Sequence, residues 1–205
     1  MGKAGYHHGN LRQALVTASL DLIEKSGPQG FTLSEAAKAA GVTPAAVYRH
    51  FQGREDLLAE VARQGFEIFG DLMEHAWNGG RPSVLAAFEA TGRAYLAFAR
   101  RFPAHYVAMF ESGLSLSHWP ELSLTARKAQ EPLLQAAEAL AAQIPEHRRP
   151  PPAMFAAHIQ AMSHGIVELH TRNPANPRSP FAAEDLLESG IGIYLRGLGL
   201  IAPDD

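Results

Sequence analysis

The residues that could carry chemistry in this chain are ten histidines and twenty-one carboxylates, with no cysteine among them. Without cysteine there are no disulfides and no thiolate metal sites. A metal site on a helix pairs its ligands at i, i+4 on one face, and these histidines are not spaced that way. His158, His164 and His170 recur every six residues, which scatters them around a helix. The adjacent His7 and His8 suit an exposed arm that touches phosphates, and His164 reads as a hydrogen-bonded core histidine. There is no Gly-x-Ser-x-Gly elbow, no phosphate loop and no carboxylate pair set in apolar sequence. Glu184, Asp185 and Glu188 open the last helix, where they complement its dipole. No catalytic residue, metal or cofactor is therefore expected, and the chemistry to look for is recognition.

Recognition chemistry concentrates between Phe31 and Phe51. Thr32 and Glu35 have the spacing of a capping box, in which each side chain satisfies the other's free backbone N–H. Leu33, Ala36 and Ala37 form the packing face of a short helix, and Gly41 sits where the chain must turn sharply. Thr43 is a second N-cap, with Pro44 at the first helical position, where a missing N–H is harmless. Val47 and Phe51 point inward, leaving Ala45, Ala46, Tyr48, Arg49 and His50 on the other faces. Two short helices joined by a glycine turn place the second in a DNA major groove. The small side chains of Ala45 and Ala46 allow close approach to base edges and thymine methyls. Thr32 and Thr43 are placed to bond phosphate oxygens, and Tyr48 and His50 flank them. Arg49 reaches a base or a phosphate depending on docking tilt, and Arg54, opening the next helix, can clamp the phosphate backbone.

The elements that position this unit are helical throughout, with no period-two strand and no internal repeat. Asn10 can cap a first helix with Leu11, Leu15, Ala18 and Leu22 on one face, ended by Ser26-Gly27-Pro28-Gln29-Gly30. Further helices are predicted at about 54–77, 82–102, 104–112, 121–143, 153–170 and 183–200, which makes about nine in all. The loop from Arg172 to Pro180 is rich in proline. Residues 1–54 carry a net charge of +3 within a chain of −3, a basic head on an acidic body that suits contact with phosphates. No apolar run approaches the roughly 20 residues of a membrane span. The stretch Met1 to Gly9 has no apolar core of the signal-peptide kind, so a cytoplasmic protein is expected.

Leu11 to Phe51, followed by Gly53-Arg54-Glu55-Asp56-Leu57-Leu58, closely resembles the N-terminal domain of TetR/AcrR-type regulators. In that family an Ala/Gly turn and a Val-Thr/Ser element lead to a Tyr-x-His/Tyr-Phe ending, then a basic residue and a leucine pair. All of these stand here, with Arg54 where Lys is commoner. The resemblance covers about the first third of the chain. Ser163-His164-Gly165 also resembles the Trp-His-Gly signature of one C-terminal subfamily, with Ser in place of Trp. The resemblance implies an all-α homodimer, a ligand cavity in the C-terminal body and, usually, repression.

Aromatic and thioether side chains recur on the middle helices, where such residues serve either as plain core or as a pocket lining. Phe66, Phe69, Met73, Phe88, Tyr95, Met109, Phe110, His158 and Met162 are the candidate ligand residues, for a mostly apolar molecule held by a few polar anchors. On the last two helices Ala157, Ala161 and Gly165 make a stripe of small residues, and Gly190 and Gly197, one heptad apart, flank Tyr194. Glycine inside a helix costs about 1 kcal/mol relative to alanine, so close helix approach is expected, either within the chain or across a dimer. The family resemblance favours the dimer.

The expected protein is all-α. Residues 9–53 form a three-helix DNA-binding domain with its motif at 32–51, and residues 54–205 form a ligand-binding and dimerisation domain. Its partners are double-stranded DNA, an unidentified small molecule and a second copy of itself, with no membrane. Function follows as a ligand-responsive transcriptional regulator, a repressor released from a palindromic operator. Two alternatives use the same chain differently: an architectural DNA-bound factor working through a protein partner, and a helical enzyme with a vestigial head. No residues support the enzyme.

Overall fold

The computed structural model describes residues 8–171 and 179–202. Among these, nine α-helices and three 3-10 turns form the fold, and no strand occurs. The helices are α1 (His8–Ser26), α2 (Leu33–Ala39), α3 (Pro44–Val47), α4 (Arg54–Trp77), α5 (Val84–Arg101), α6 (Pro103–Phe110), α7 (Pro120–Ala141), α8 (Pro152–Thr171) and α9 (Ala183–Leu198). His7 and most of the proline-rich loop lie outside the described residues. The chain is already helical two residues before Asn10, so Asn10 lies inside α1 and does not cap it.

Two compact units make up the chain: Met1–Ile68 with Phe102–Ala126, and Phe69–Arg101 with Arg127–Asp205. The first boundary falls within α4 and another within α7. In the first unit Leu15, Val47, Phe51, Leu57, Leu58 and Tyr106 are sealed from solvent. Phe110 adds edge contacts to Phe66 and a tilted one to Tyr106. In the second unit the ring of Phe69 meets Tyr95 at 5.3 Å and Phe98 at 5.2 Å, and Phe88 meets Phe155 at 5.8 Å. Aromatic pairs in such edge-on geometry contribute roughly 0.5–1.5 kcal/mol beyond the area they bury.

Short helices cannot hold themselves, so the ends of α2 carry unusual weight. Its N-terminus is closed by the capping box, with the Thr32 N–H donating to Glu35 Oε2 at 2.8 Å and the Glu35 N–H donating to Thr32 Oγ1 at 3.2 Å. Its C-terminus is closed by Gly41 at φ +71°, where the Gly41 N–H bonds Lys38 O and the Val42 N–H bonds Ala37 O. That pair of bonds is a Schellman ending, and it turns the chain straight into α3. Nothing lies near where a Cβ at Gly41 would project, so only backbone conformation demands glycine there. Gly41→Ala is accordingly expected to lower stability by about 1 kcal/mol, read from the midpoint of urea unfolding; an unchanged midpoint would contradict the left-handed turn.

Candidate nucleic-acid interface

α3 is a single turn, Pro44–Val47, continued by a non-helical turn over residues 48–50. Its inner side is fixed by Val47 and Phe51, both fully buried. The outer side presents Thr43, Pro44, Ala45, Tyr48 and Arg49 as exposed residues, with Ala46 and His50 half-buried. Tyr48 is 60% exposed, unusual for so large a ring. All seven surface positions read from the sequence between 43 and 50 are thus exposed or half-buried. Thr43 stands at the N-cap, but its hydroxyl makes no cap hydrogen bond. The Thr43 hydroxyl is therefore available to an outside acceptor. Thr32 differs, because its hydroxyl donates to Glu35 Oε2 at 2.9 Å and must change partner to meet a phosphate. The Thr32 backbone N–H holds the Glu35 carboxyl below its ordinary range, with help from the hydroxyl.

Arg54 opens α4, half-buried, with both terminal nitrogens on Gln29: one donates to the Gln29 carbonyl at 2.9 Å, the other to its Oε1. Gln29 in turn donates through Nε2 to the Ser112 carbonyl at 2.7 Å. A guanidinium has five N–H donors, so Arg54 keeps donors for a phosphate while its direction is set.

A second arginine network lies behind the turn. Glu60 of α4 is buried, and its carboxylate accepts from Arg12 at 2.9 Å, from Arg63 at 3.0 and 2.8 Å, and from Gln64 at 2.9 Å. Burial pushes the Glu60 carboxyl up, and the hydrogen bonds from Arg63, Gln64 and Arg12 outweigh it, holding the group at about 2. Arg63 also pairs with Glu67. Arg12 reaches the His50 carbonyl at 3.3 Å and lies 4.7 Å from the centroid of the Phe51 ring.

The family model described as "Bacterial regulatory proteins, tetR family" matches residues 15–61, and "Tetracyclin repressor-like, C-terminal domain" matches residues 88–194, more than half of the chain. The chain belongs to the TetR family. The HTH-type transcriptional regulator AcrR of Shigella flexneri is 38% identical over 61 residues, covering 30% of this chain and 28% of AcrR. The chain thus matches less than a third of that relative's length. A solved Rhodococcus sp. RHA1 protein of unknown function superposes with TM-score 0.78 at 24% identity, over 96% of this chain and 99% of that one. AibR in complex with isovaleryl coenzyme A and operator DNA superposes with TM-score 0.67 at 19% identity, over 89% and 96% of the two chains. At these identities both likenesses concern the fold.

In this TetR-family chain the nine ligand candidates do not converge on one described cleft. Phe66, Met109 and Phe110 fall in the first unit, and Phe69, Met73, Phe88, Tyr95, His158 and Met162 in the second. A cleft of about 390 Å³ beside Glu60 and another of about 360 Å³ beside Leu187 are lined by other residues. Phe66, Phe69, Met73, Phe88 and Tyr95 are buried core, with Tyr95 Oη 3.3 Å from His164 Nδ1. His158 is exposed and pairs with the Tyr194 hydroxyl at 3.0 Å, so it stands on the outer side of α8. Ala157, Ala161 and Gly165 are exposed with it, and among the described residues nothing beyond the adjoining helix backbone lies within 4 Å of a Cβ built on Gly165 or Gly197. Gly190 differs, because a Cβ there would meet Met162 Sδ at 2.7 Å, which makes it a contact of α9 with α8.

Sequence reasoning missed Gln29, Arg12 and Glu60 as parts of this TetR head. Only Glu60 left a trace, a carboxylate in a helix stretch of Leu57, Leu58, Ala59, Val61 and Ala62, all of them buried. Its depressed pKa makes a pH prediction. Stability from the folded carboxylate is fully present above the ordinary value of 4.5 and is lost as pH falls toward about 2. Glu60→Gln should be less stable than wild type at neutral pH, with a shallower decline below pH 4.5, measured by urea unfolding at each pH. Parallel declines would contradict the pairing.

Proposed function

We propose that this TetR-family regulator is a homodimeric repressor that reads a palindromic operator with the outward face of residues 43–50. The observation that carries the proposal is that face itself: small side chains at Ala45 and Ala46 beside Tyr48, Arg49 and His50, on a turn anchored from behind. Residues 9–53 are the reading head and residues 54–205 the sensing and dimerising body. Ala45 and Ala46 meet base edges, Thr43, Tyr48 and His50 meet phosphates with Thr32 after it releases Glu35, and Arg54 clamps the backbone from its seat on Gln29. Arg49 joins them at a base or a phosphate.

The exposed stripe of Ala157, Ala161 and Gly165, with Gly197 on α9, supports pairing of two copies. Tyr194, tied to His158, borders it. A two-fold pair presents two heads to a site with two-fold symmetry. The regulated state is set by a mostly apolar small molecule that binds one conformation of the body better than the other. The named complex of AibR with an acyl coenzyme A and operator DNA supports acyl compounds as the first class to test.

Selection of bound duplexes from random DNA should enrich a palindrome whose half-sites lie about 34–36 Å apart or a multiple of that. Shift assays on that duplex should lose the complex when the right acyl compound is added; no enrichment by folded dimer would overturn the proposal. Arg54→Ala should weaken binding to all duplexes and lower the salt slope by about 1. A change in sequence preference alone would remove its role as a clamp. Ala161→Leu should shift the protein toward monomer in sedimentation, and unchanged mass would contradict pairing through α8.

A further inference from the structure

Three arginines within residues 1–54, Arg12, Arg49 and Arg54, make the same contribution to the basic charge of that stretch, but they are held very differently. Arg49 is exposed on the reading face. Arg54 uses its two terminal nitrogens on a neutral glutamine and makes no ion pair among the described residues. Arg12 faces a carboxylate, and the set of Arg12, Arg63, Glu60 and Glu67 cancels in charge. Arg12 therefore adds little to the field that phosphates would feel.

Arg12 instead joins three things at once: the Glu60 carboxylate on α4, the carbonyl of His50 at the end of the reading turn, and the ring of Phe51 beneath it. The turn needs such a hold. α3 is four residues long, its N-cap side chain makes no bond, and residues 48–50 leave the helix. Backbone bonds within the turn include the Arg49 N–H on Ala46 O and the His50 and Phe51 N–H groups on Val47 O, and none of them ties it to another helix. Glu60 is itself fixed, since Arg63 grips both of its oxygens and Gln64 bonds one. Gln64 further exchanges hydrogen bonds with Gln13, so α1 and α4 are joined beside the network.

We propose that Arg12 is a positioning residue for DNA reading, a latch that fixes the end of the reading turn to α4 through Glu60, and that it does not contact phosphate. The inference rests on the DNA-reading proposal above. Electrostatics alone and the latch predict opposite signs for one variant. Glu60→Gln removes a negative charge from the head, which by field alone would strengthen DNA binding. The latch requires that it weaken binding to the selected sequence, because Arg12 and Arg63 lose their common anchor.

The test uses the full chain with Arg12→Met, Arg12→Lys and Glu60→Gln, and Arg54→Ala for comparison. Methionine keeps apolar cover over Phe51 without the hydrogen bonds. Binding is measured across a range of salt on the duplex enriched from the random pool and on a scrambled duplex. Amide hydrogen exchange is followed without DNA. Loss of charge-assisted hydrogen bonds should weaken the enriched duplex about tenfold in all three variants while the scrambled duplex changes by less than about twofold. Their salt slopes should stay at the wild-type value, whereas that of Arg54→Ala falls by about 1. In the two Arg12 variants exchange over residues 47–52 should quicken about tenfold with residues 55–75 unchanged, which also shows that they fold. In Glu60→Gln, whose global stability falls, exchange should quicken more over 47–52 than over 55–75. A slope lowered by Arg12→Met, full affinity in Arg12→Lys, tighter binding by Glu60→Gln, or unaltered exchange at 47–52 would each overturn the latch. Failure of the wild-type protein to select any duplex would sink the DNA-reading proposal instead, and the exchange result would still decide whether Arg12 holds the turn.

Discussion

A carboxylate cannot be buried alone, because the charged form loses its water and must be given hydrogen bonds in return. Glu60 meets that constraint with three partners drawn from two helices, and meeting it organises the head. Arg12 of α1 serves Glu60 of α4, which ties the two helices together beside the end of the turn. From there the remaining donors of Arg12 find the His50 carbonyl and the Phe51 ring. The outward face of residues 43–50 is thus the far side of a requirement imposed from within. Val47 and Phe51 commit the turn to the core, while the other side chains from 43 to 50 are exposed or, at Ala46 and His50, partly buried.

Around that centre the head is made of short pieces stopped in fixed ways. Gly41 supplies a backbone conformation that other residues adopt with strain, and Pro44 supplies a preset φ for the start of α3. Gln29, in the loop after α1, ties Arg54 and the Ser112 carbonyl together. The body follows a different rule. Its helices are long, and ring-on-ring contacts such as those of Phe69 and Phe88 fill their interior. Outside on α8 stands, among other residues, a run of small ones, and among the described residues nothing beyond the adjoining helix backbone lies within 4 Å of a Cβ built on Gly165.

The parts legible in the sequence were those whose partners lie close along it. The capping box joins residues three apart, and the breakers at Gly27, Gly41 and the prolines located most helix ends to within a residue or two. The exposure of residues 43–50 was legible because one buried position, Val47, fixes where its neighbours point. What sequence could not reveal depends on distance along the chain. Arg12 and Glu60 are 48 residues apart, and Gln29 and Ser112 are 83 apart. Charge counting treated Arg12 and Arg54 alike because it cannot see which has a carboxylate opposite. On α8, apolar residues occur on every side, with Phe155 and Ile159 buried but Met154 and Leu169 exposed, so periodicity could not decide which way His158 faces. Thr43 occupies the N-cap position read from the sequence, but its hydroxyl makes no cap hydrogen bond.

If the face at 43–50 reads bases, changing one of its side chains should change what is read. The measurement is selection of duplexes from random DNA by the Ala45→Gln protein, set beside the wild-type selection. Glutamine can bond an adenine edge in two places, which alanine cannot. The account predicts a palindrome of unchanged length and spacing with a new preference at one position, repeated symmetrically in both halves. An identical consensus from the two proteins would contradict it, because the exposed turn would then not be the element that meets the bases.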